Sequence, residues 1–490
     1  MMTAPTPRRR LRHRIPTSLR RHWKLPVAFI AFVAIVATAF GATRVRPYIT
    51  GDPTIISSEI TENVAGTVDL FDTSATHELS LEIGDAEYDD MISAYEKDGD
   101  KEWVVADVVI DGTHIDDVGV RLKGNSTLRG LQGEGFDQAQ GPPGMEGTVQ
   151  VDPEDPTSLP LLIRFDEYVD GRAYQGMTEL SVRPGSPVIN EAMALSLTAE
   201  TDQPTQRYAY TVYSVDDSAT ATRLVLEHPD EQYANSLFDS PGYLYKADAS
   251  SRFEYVGDDQ SDYADQFEEI NAADSGTLQP IISFLKWMDS ADDAEFDAHL
   301  ADWVDVESFA RYVATQNLLV NFDDMAGPGQ NYYLWYDLDT KKLSVVSWDL
   351  NMAMQGDTSA GPDDSISMMG GMGQGGRPQG MVGAAPPEGM PQAMPPGMPG
   401  GESRGPGGGN TLKTRFLDSD AFTEIYHRVY QELSEQIYGN GLALKVLDAV
   451  AASVPTSDGL TAEALQESVD SMRSWIGERT QAQVQWIQPR

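Results

Sequence analysis

Polar residues that could bind a metal or move a proton are densest between residues 317 and 349. A predicted helix ends near Val320 and is followed by Asp323, Asn331 and, beyond a predicted hairpin, Asp349. Because a hairpin returns its second strand beside its first, we expect Asp349 to lie near Asn331 and Asp323. Carboxylate and amide oxygens that converge in this way suit Mg²⁺. The spacing therefore predicts a magnesium site at one end of the hairpin.

These residues also suggest transfer of a phosphoryl group. Mg²⁺ held by a few carboxylates usually accompanies a phosphate-bearing ligand, and a remaining aspartate could take a proton from an attacking hydroxyl. Phosphoryl-transfer enzymes add a lysine on a strand, for which Lys246 or Lys123 would serve. The alternative is that the aspartates are turn residues and solvated loop acids. Asp324 could also replace Asp323 as the base.

The elements that must position these residues form a sheet-rich first half and a helix-rich second half. Before about residue 275 apolar residues alternate as in strands, and after it helical spacing dominates except in the hairpin. Predicted strands cover 77–83, 103–110, 118–122, 161–165, 208–213, 223–227, 243–246, 332–336 and 343–348. Predicted helices cover 88–95, 188–198, 278–288, 306–320, 422–437, 442–454 and 462–487. This order indicates an α+β fold.

Composition and charge exclude several classes of protein. The 490 residues include 76 Asp and Glu against 35 Lys and Arg, a formal net charge of −41. Such a surface repels phosphate backbones, so we expect no nucleic-acid partner. Apolar residues make up 40% of the chain, enough for a core, which excludes disorder of the whole chain. The absence of cysteine excludes disulfides, thiolate metal sites and cysteine nucleophiles.

The first 65 residues are predicted to direct the protein to a membrane. Residues 1–24 form a basic tail, residues 25–42 are apolar without a charge, and residues 43–65 resemble a tether. An 18-residue apolar run is near the minimum for a transmembrane helix, and its basic flank should stay cytoplasmic. A cleaved signal peptide is the alternative. Residues 66–490 would then be extracytoplasmic, either as a single-pass membrane protein or secreted.

Two stretches within the domain at 66–490 are predicted to be disordered insertions. Residues 131–157 are rich in Gly, Pro, Gln and acids, and residues 359–410 are dominated by Gly, Pro and Met. Such compositions cannot bury a core. Seven methionines lie from Met368 to Met398, and their thioethers could collect Cu(I). A flexible surface insertion is the simpler interpretation.

Six short motifs in order resemble the CotH family, the spore-coat-protein-H kinases, which are atypical protein kinases. The motifs are Val120-Arg-Leu-Lys-Gly-Asn-Ser126, Leu162-Ile-Arg-Phe-Asp166, Gly242-Tyr-Leu-Tyr-Lys246, Asn321-Phe-Asp323, Asn331-Tyr-Tyr-Leu334 and Ser347-Trp-Asp349. Each motif alone is weak, but all six in this order are specific. The resemblance runs from about residue 70 to the C-terminus. It implies a two-lobed kinase-like fold, ATP with Mg²⁺ or Mn²⁺, and transfer of phosphate to Ser or Thr of an exported or surface protein.

The resemblance also implies roles for individual residues. Asp323 matches the family's loop aspartate and is our candidate catalytic base. Asn331 and Asp349 match the family's metal ligands. Lys246 matches a lysine that contacts phosphate, and Glu227 matches a glutamate that ends an earlier strand and would pair with a basic residue.

Arg121 and Lys123 remain open between phosphate contacts and structural salt bridges. The sequence also departs from the family pattern, because Asn351 stands where a second aspartate is frequent. The residues before Ile163 are apolar where the family has lysines, with only Arg164 basic. These losses keep a second hypothesis open, a pseudokinase scaffold or structural envelope protein of the same fold. A third is an acidic surface protein that binds cations.

Overall fold

A seven-stranded closed barrel forms the first half of the protein. The computed structural model describes residues 59–124, 127–132, 151–271, 276–366 and 410–487. The barrel strands are β2 (His77–Glu82), β3 (Val104–Ile110), β4 (Thr113–Leu122), β5 (Leu161–Arg164), β7 (Glu179–Val182), β8 (Tyr208–Val215) and β9 (Ala221–Glu227). Their order around the barrel is β2-β3-β4-β5-β7-β9-β8. Strands β2 and β8 are parallel, and the other barrel pairs are antiparallel.

The barrel interior is filled by every second side chain, as the period of a strand requires. Val120 and Leu122 of β4 pack inside with Ile163 of the neighbouring strand β5 and with Leu180 and Val182 of the next strand, β7. The residues between them in sequence therefore face outward, and these include the charged side chains considered below. Helix α1 (Asp85–Asp98) lies between β2 and β3 in the chain.

The turn between β3 and β4 has the backbone conformation of a two-residue hairpin. Asp111 has φ 50° and Gly112 has φ 78°. A two-residue hairpin of the type that matches strand twist needs both central residues at positive φ, which Asp and Gly tolerate. The Asp111 carboxylate also accepts hydrogen bonds from the backbone N–H of Glu78 and from the His77 ring, which ties the turn to β2.

A second sheet follows the barrel in the chain, is interrupted by three helices, and carries the predicted hairpin. Its strands are β10 (Gly242–Ala247), β11 (Phe267–Glu269), β12 (Tyr332–Asp337) and β13 (Leu343–Ser347), in the order β11-β10-β12-β13. In the hairpin Tyr332 pairs with Ser347. Helix α2 (Ile189–Glu200) and helix α3 (Glu231–Leu237) lie on either side of β8 and β9 in sequence.

The second half is helical, as predicted, and has its own hydrophobic core. Its helices are α4 (Gln279–Ser290), α5 (Asp293–Trp303), α6 (Val306–Leu318), α7 (Thr411–Asp418), α8 (Asp420–Ser434), α9 (Leu442–Ser453) and α10 (Ala462–Ile487), with a π-helical turn at Glu435–Gly439. Helix α8 buries Phe422, Tyr426, Val429 and Leu433, the stripe expected of an amphipathic helix. The order of elements confirms the α+β prediction.

The structure corrects the boundaries of three predicted loose segments. Strand β1 (Glu62–Val64) pairs in parallel with β6 (Arg172–Tyr174), so the end of the predicted tether is part of the fold. The end of the first predicted insertion is also folded, because Thr157 is buried and its carbonyl accepts a hydrogen bond from Arg223. The start of the second is fixed at Ala360, whose carbonyl accepts hydrogen bonds from α10. The rest of both insertions lies outside the described residues.

The predicted membrane segment at residues 25–42 also lies outside the described residues. Among the helices that the structure describes, none combines the length and the hydrophobicity needed to cross a lipid bilayer.

Candidate active site

The outer face of the barrel presents a row of charged side chains where β4, β5 and β7 run side by side. Alternation along β7 brings Glu179, Ser181 and, just beyond its end, Arg183 to one face. Arg121 pairs with Leu162, which in turn pairs with Ser181, so Arg121 and Lys123 of the β4 end belong to the same face. The barrel therefore gathers residues that are 60 positions apart in sequence onto one surface.

Lys123 is held in the centre of this group. Its ammonium donates to Ser181 Oγ, lies 3.4 Å from Nδ1 of His228, and lies 5.0 Å from the ring centroid of Trp348. Burial, and next the charge of Arg183, lower the pKa of Lys123 well below its ordinary value. Lys123, which the sequence analysis named as a candidate phosphate contact, thus lies beside Trp348, the residue before Asp349.

Lys246 approaches the same tryptophan from the second sheet. Its ammonium is 5.9 Å from the ring centroid of Trp348. His228 and Tyr333 contact Trp348 edge-on, with centroid separations of 5.5 and 5.2 Å. Trp348 therefore connects the barrel face to the hairpin and fixes the start of the loop that carries Asp349.

Arg183 joins Asp349 to helix α2. One guanidinium nitrogen, Nη2, lies 2.5 Å from Oδ1 of Asp349 and 2.5 Å from Oε1 of Glu191, and Nε donates to Glu191 as well. Glu191 is fully buried, and burial raises the pKa of its carboxyl against the lowering effect of Arg183. Its second oxygen has no hydrogen-bond partner among the described residues. Asp349 thus forms an ion pair with Arg183, and Glu191 of helix α2 fixes the position of Arg183.

Strained backbone surrounds the site. Asp349 has φ 52°, and the loop that contains Asp323 is bounded by Val320 at φ 52° and Gln330 at φ 50°. Positive φ is an outlier for a β-branched residue such as Val320 and uncommon for the other two. Such conformations cluster at active sites, where surrounding contacts maintain them. The positive φ values thus occur in the loop and at the hairpin end where the sequence predicted catalytic and metal-binding residues.

Asp323 and Asn331 are in direct contact. Oδ2 of Asp323 accepts a hydrogen bond from Nδ2 of Asn331 at 3.0 Å, and Oδ1 accepts one from the Gly329 N–H at 2.6 Å. A Cβ on Gly329 would lie 2.7 Å from both of these side chains, so only glycine fits. The pKa of Asp323 is raised, first by burial and then by the charge of Asp349, while the Gly329 hydrogen bond opposes the shift.

The hairpin register explains why Asp349 lies close enough to act on Asp323. Tyr332 opposes Ser347, so one step further along the ladder Asn331 opposes Trp348, next to Asp349. The site thus combines two carboxylates with one amide. Within the described residues, no group of three or more His, Asp and Glu is placed to hold a metal ion. A divalent cation here would therefore need the amide oxygen of Asn331.

The donor set fits such a cation. Because Nδ2 of Asn331 donates to Asp323, its Oδ1 is free to coordinate, and no described residue donates to it. Asp349 is about one quarter exposed, and Arg183 contacts only its Oδ1. These are the hard oxygen ligands that Mg²⁺ takes in company with phosphate. Asn351 follows at the end of the same loop, where its carbonyl accepts a hydrogen bond from Asn190.

The cations fit a phosphate-bearing ligand. In the described parts of the chain, no carboxylate lies within ion-pair distance of Lys123, Lys246 or Arg121. Arg121 packs over the Trp103 ring at 4.5 Å, and its buried Nε has no hydrogen-bond partner in the described part of the chain. Buried polar groups are normally satisfied. Cations left without counter-charges in a chain of net charge −41 indicate an anion site.

Two sequence candidates have structural partners instead. The guanidinium of Arg207 binds both oxygens of Glu227 at 2.9 and 3.0 Å, so the basic partner expected for Glu227 lies outside the Lys123 group. Asp324 is buried and forms an ion pair with Lys413 of α7. That pairing disfavours Asp324 as the catalytic base.

Sequence reasoning did not find Arg183, Glu179, Glu191 or His228. Alternation in the segment Glu179-Leu-Ser-Val-Arg183 could have pointed to the first two, since every second residue is polar. Glu191 and His228 carry no such signal. They follow a helix start and a strand end, and Lys123, a partner of His228, is 105 positions away in sequence.

Comparison with known proteins agrees with this geometry. Residues 160–483, about two thirds of the chain, match the family described as CotH kinase protein. A search of curated proteins found no match. The matched range contains Asp323, Asn331, Asp349 and Lys246, whereas Arg121 and Lys123 precede it. The chain belongs to the CotH kinase family.

Proposed function

We propose that this protein is a two-lobed, kinase-like phosphotransferase that uses Mg·ATP, or Mn·ATP, to phosphorylate Ser or Thr of protein substrates. The observation that carries the proposal is the convergence of Lys123 and Lys246 on the Trp348 ring beside Asp349, with no carboxylate of the described residues within ion-pair distance of either lysine. The family match supports the same class of reaction.

Each side chain has a physical role in this proposal. Lys123 and Lys246 bind phosphate oxygens, with Arg121 at the edge of the group, and the Trp348 ring holds both lysines close to Asp349. Asp349 and the amide oxygen of Asn331 would hold the cation, which neutralises charge on the phosphates when bound. Arg183 orients Asp349 through one oxygen and leaves the other available.

Asp323 orients the acceptor hydroxyl and takes its proton. Both of its oxygens are fixed by donors, Gly329 N–H and Asn331 Nδ2–H, so the carboxylate cannot rotate freely. A raised pKa makes it a better proton acceptor than an exposed aspartate. The neighbouring charge of Asp349, which raises that pKa, would be reduced by a bound cation.

A pseudokinase scaffold of the same fold is the second candidate. The observation that favours it is Asn351, an amide where the family frequently has a second metal-binding aspartate. The ion pair between Arg183 and Asp349 also competes with a cation for one carboxylate oxygen. Such a protein would bind nucleotide weakly or without metal and would transfer no phosphate.

Nucleotide binding and phosphate transfer test both candidates. Mg·ATP at millimolar concentration should raise the melting temperature of the wild-type chain by mass action, and Asp349→Ala should abolish the rise. Asp323→Asn should keep the rise but lose transfer of labelled phosphate to a mixture of Ser- and Thr-containing peptides. Binding without transfer in the wild type would favour the scaffold. No rise with Mg·ATP or Mn·ATP would refute the kinase proposal, and a rise with Mg²⁺ or Ca²⁺ alone would favour a cation-binding surface protein.

The N-terminal segment carries a separate proposal about location. We propose that residues 25–42 anchor the chain in a membrane with the kinase-like domain outside the cytoplasm, so that the substrates are exported proteins. The carrying observation is the charge-free apolar run behind eight basic residues. Carbonate extraction of membranes, with protease added to intact cells, tests it. A chain found in the soluble fraction at full length would contradict an anchor.

A further inference from the structure

A histidine that the sequence left unassigned lies between the barrel face and the phosphate-binding lysine. His228 follows directly after β9, opposite Glu179 of β7, and its side chain is 11% exposed. Its Nδ1 lies 3.4 Å from Nζ of Lys123, and its Nε2 lies 3.4 Å from Oε2 of Glu179. One imidazole ring therefore connects a carboxylate to an ammonium.

The partners decide which ring nitrogen carries the proton. Burial lowers the pKa of His228 well below its ordinary value, and so do the charges of Lys123 and Lys246. A neutral imidazole has one donor and one acceptor. The lysine ammonium can only donate, so Nδ1 is the acceptor. Nε2 then carries the hydrogen and faces the carboxylate of Glu179, which can accept it.

We propose that His228 is a positioning residue for nucleotide binding, which holds the Lys123 ammonium beside Trp348 through Nδ1 while Glu179 fixes the ring through Nε2–H. This inference rests on the proposed function for its effect on ATP, although the contacts of His228 with Lys123 and Glu179 do not. A lysine side chain is long and loses conformational entropy when it is held in one place. A lysine held in advance by His228 has less entropy to lose when phosphate binds.

A histidine suits this task better than an acid would. The two hydrogen-bonding partners of Lys123, Ser181 Oγ and His228 Nδ1, are both uncharged. A carboxylate at position 228 would form an ion pair with Lys123 and compete with phosphate for it. The imidazole instead holds the Lys123 side chain through an uncharged acceptor, so no counter-ion competes with phosphate for it.

Two amide substitutions separate the halves of this arrangement. In the variant His228→Asn, the amide Oδ1 can lie near the former Nδ1 and accept a hydrogen bond from Lys123. In the variant His228→Gln, the longer side chain reaches the former Nε2 position near Glu179, so Lys123 loses its acceptor. We expect H228Q to weaken Mg·ATP binding about tenfold, the loss of one charge-assisted hydrogen bond, and H228N to weaken it less than about threefold. Isothermal titration calorimetry measures both, with circular dichroism as the check on folding.

A double-mutant cycle tests whether the effect passes through Lys123. In a Lys123→Met background, H228Q should have no further effect on Mg·ATP affinity, because the residue on which it acts is gone. Equal losses in H228N and H228Q, or a full loss by H228Q in the K123M background, would overturn the proposal. A general loss of structure would not produce this asymmetry.

A readout without nucleotide keeps this proposal separate from the proposed function. In the full chain labelled with ¹⁵N-histidine, two-bond ¹H–¹⁵N correlation should show His228 as the Nε2–H tautomer at neutral pH, with its Nδ1 resonance shifted in K123M. H228N assigns the signal. An Nδ1–H tautomer, or an Nδ1 resonance unaffected by K123M, would overturn the inference. A wild-type chain that shows the expected tautomer but binds no Mg·ATP would instead refute the proposed function alone.

Discussion

At the scale of single residues, the site depends on charges that stabilise each other only as a set. Arg183 is almost buried and serves two carboxylates at once. A buried charge that keeps its partner costs little, whereas a buried charge that loses its partner is strongly destabilising. The residues that prepare Asp349 for a cation are therefore also residues on which the fold depends, and stability measurements can detect them without a substrate.

Arg183→Met should expose this dependence. The substitution leaves the fully buried Glu191 without a cation, so we expect the free energy of unfolding to fall by about 3–5 kcal/mol in urea denaturation. Adding Glu191→Gln should recover part of the loss, since the charge left without a partner is then only that of the partly exposed Asp349. The matched control is Arg473→Met, whose pair with Asp448 is exposed and should cost less than about 1 kcal/mol. Equal effects of R183M and R473M would contradict the structure.

Glu179 should make stability depend on pH. Burial is the first cause that raises the pKa of its carboxyl, from an ordinary 4.5 to about 7. Between these values the folded state keeps a proton that the unfolded state has lost, so stability falls as pH rises. Glu179→Gln mimics the protonated form and should escape this loss. We expect the free energy of unfolding of E179Q minus that of wild type to grow by about 3 kcal/mol between pH 4.5 and 8.

Urea titrations across this pH range measure the difference. Glu467→Gln, at an exposed position on α10, is the control and should follow the wild-type curve. A wild-type and an E179Q curve that stay parallel throughout would show that Glu179 is ionised in both states, and the burial argument would fail.

At the scale of elements, helix α7 is attached to the loop that contains Asp323 by one buried ion pair. Lys413 lies three residues after Asn410, which caps the helix, and its ammonium binds Asp324 next to the proposed base Asp323. Asp324 is 3% exposed, and its charge contributes to the raised pKa of Asp323. The pair therefore holds the loop in place and neutralises a carboxylate beside the reacting group.

Lys413→Met should destabilise the chain and reduce catalysis together. Asp324 would keep a buried charge without a partner, so we expect a loss of several kcal/mol, on the order of 3, in the free energy of unfolding. The double variant K413M/D324N should recover stability, because neither charge remains. It should also recover kcat if the ion pair acts by holding the loop rather than by direct contact with substrate. A double variant no more stable than K413M would contradict this account.

The elements were largely predictable from sequence, and the partners within the site were not. The period of apolar residues predicted the hairpin of β12 and β13 and the amphipathic face of α8, because both depend on neighbours within a few positions. The contact of Arg183 with Asp349 spans 166 positions, and that of Lys413 with Asp324 spans 89. No local pattern specifies such pairs, since they arise only when the barrel, the hairpin and the helices pack together.

The same limit explains which predictions at the site need the fold. The hairpin pattern predicted that Asp349 returns near Asn331 and Asp323, whereas the 3.0 Å contact between Asp323 and Asn331, eight residues apart on one loop, is seen only in the structure. Glu227 was given the right kind of partner, a basic residue, but that partner is Arg207. An acidic residue at the end of a strand predicts a basic partner, whereas the identity of that partner depends on which chain segment packs beside the strand.

At the scale of the whole molecule, a chain with a large negative net charge carries a group of basic side chains at its candidate site. The chain carries a net charge of −41, yet Lys123, Lys246 and Arg121 lack ion-pair partners in the described residues. The cations act over a few ångströms on phosphate, while the net charge acts over about 10 Å at ordinary ionic strength. Under the proposed function, a protein substrate meets the acidic field first, so the field should select substrates by charge.

Two peptides that differ only in flanking residues test this selection. With the same central Ser, a peptide flanked by lysines should have a higher kcat/KM than one flanked by glutamates, by about tenfold or more at low salt. Since long-range attraction is screened, raising NaCl from about 20 to about 300 mM should reduce this preference several-fold. KM should account for the change, because steering acts before chemistry. A preference that salt leaves unchanged would mean that close contacts select the substrate, and equal rates at low salt would contradict selection by the acidic surface.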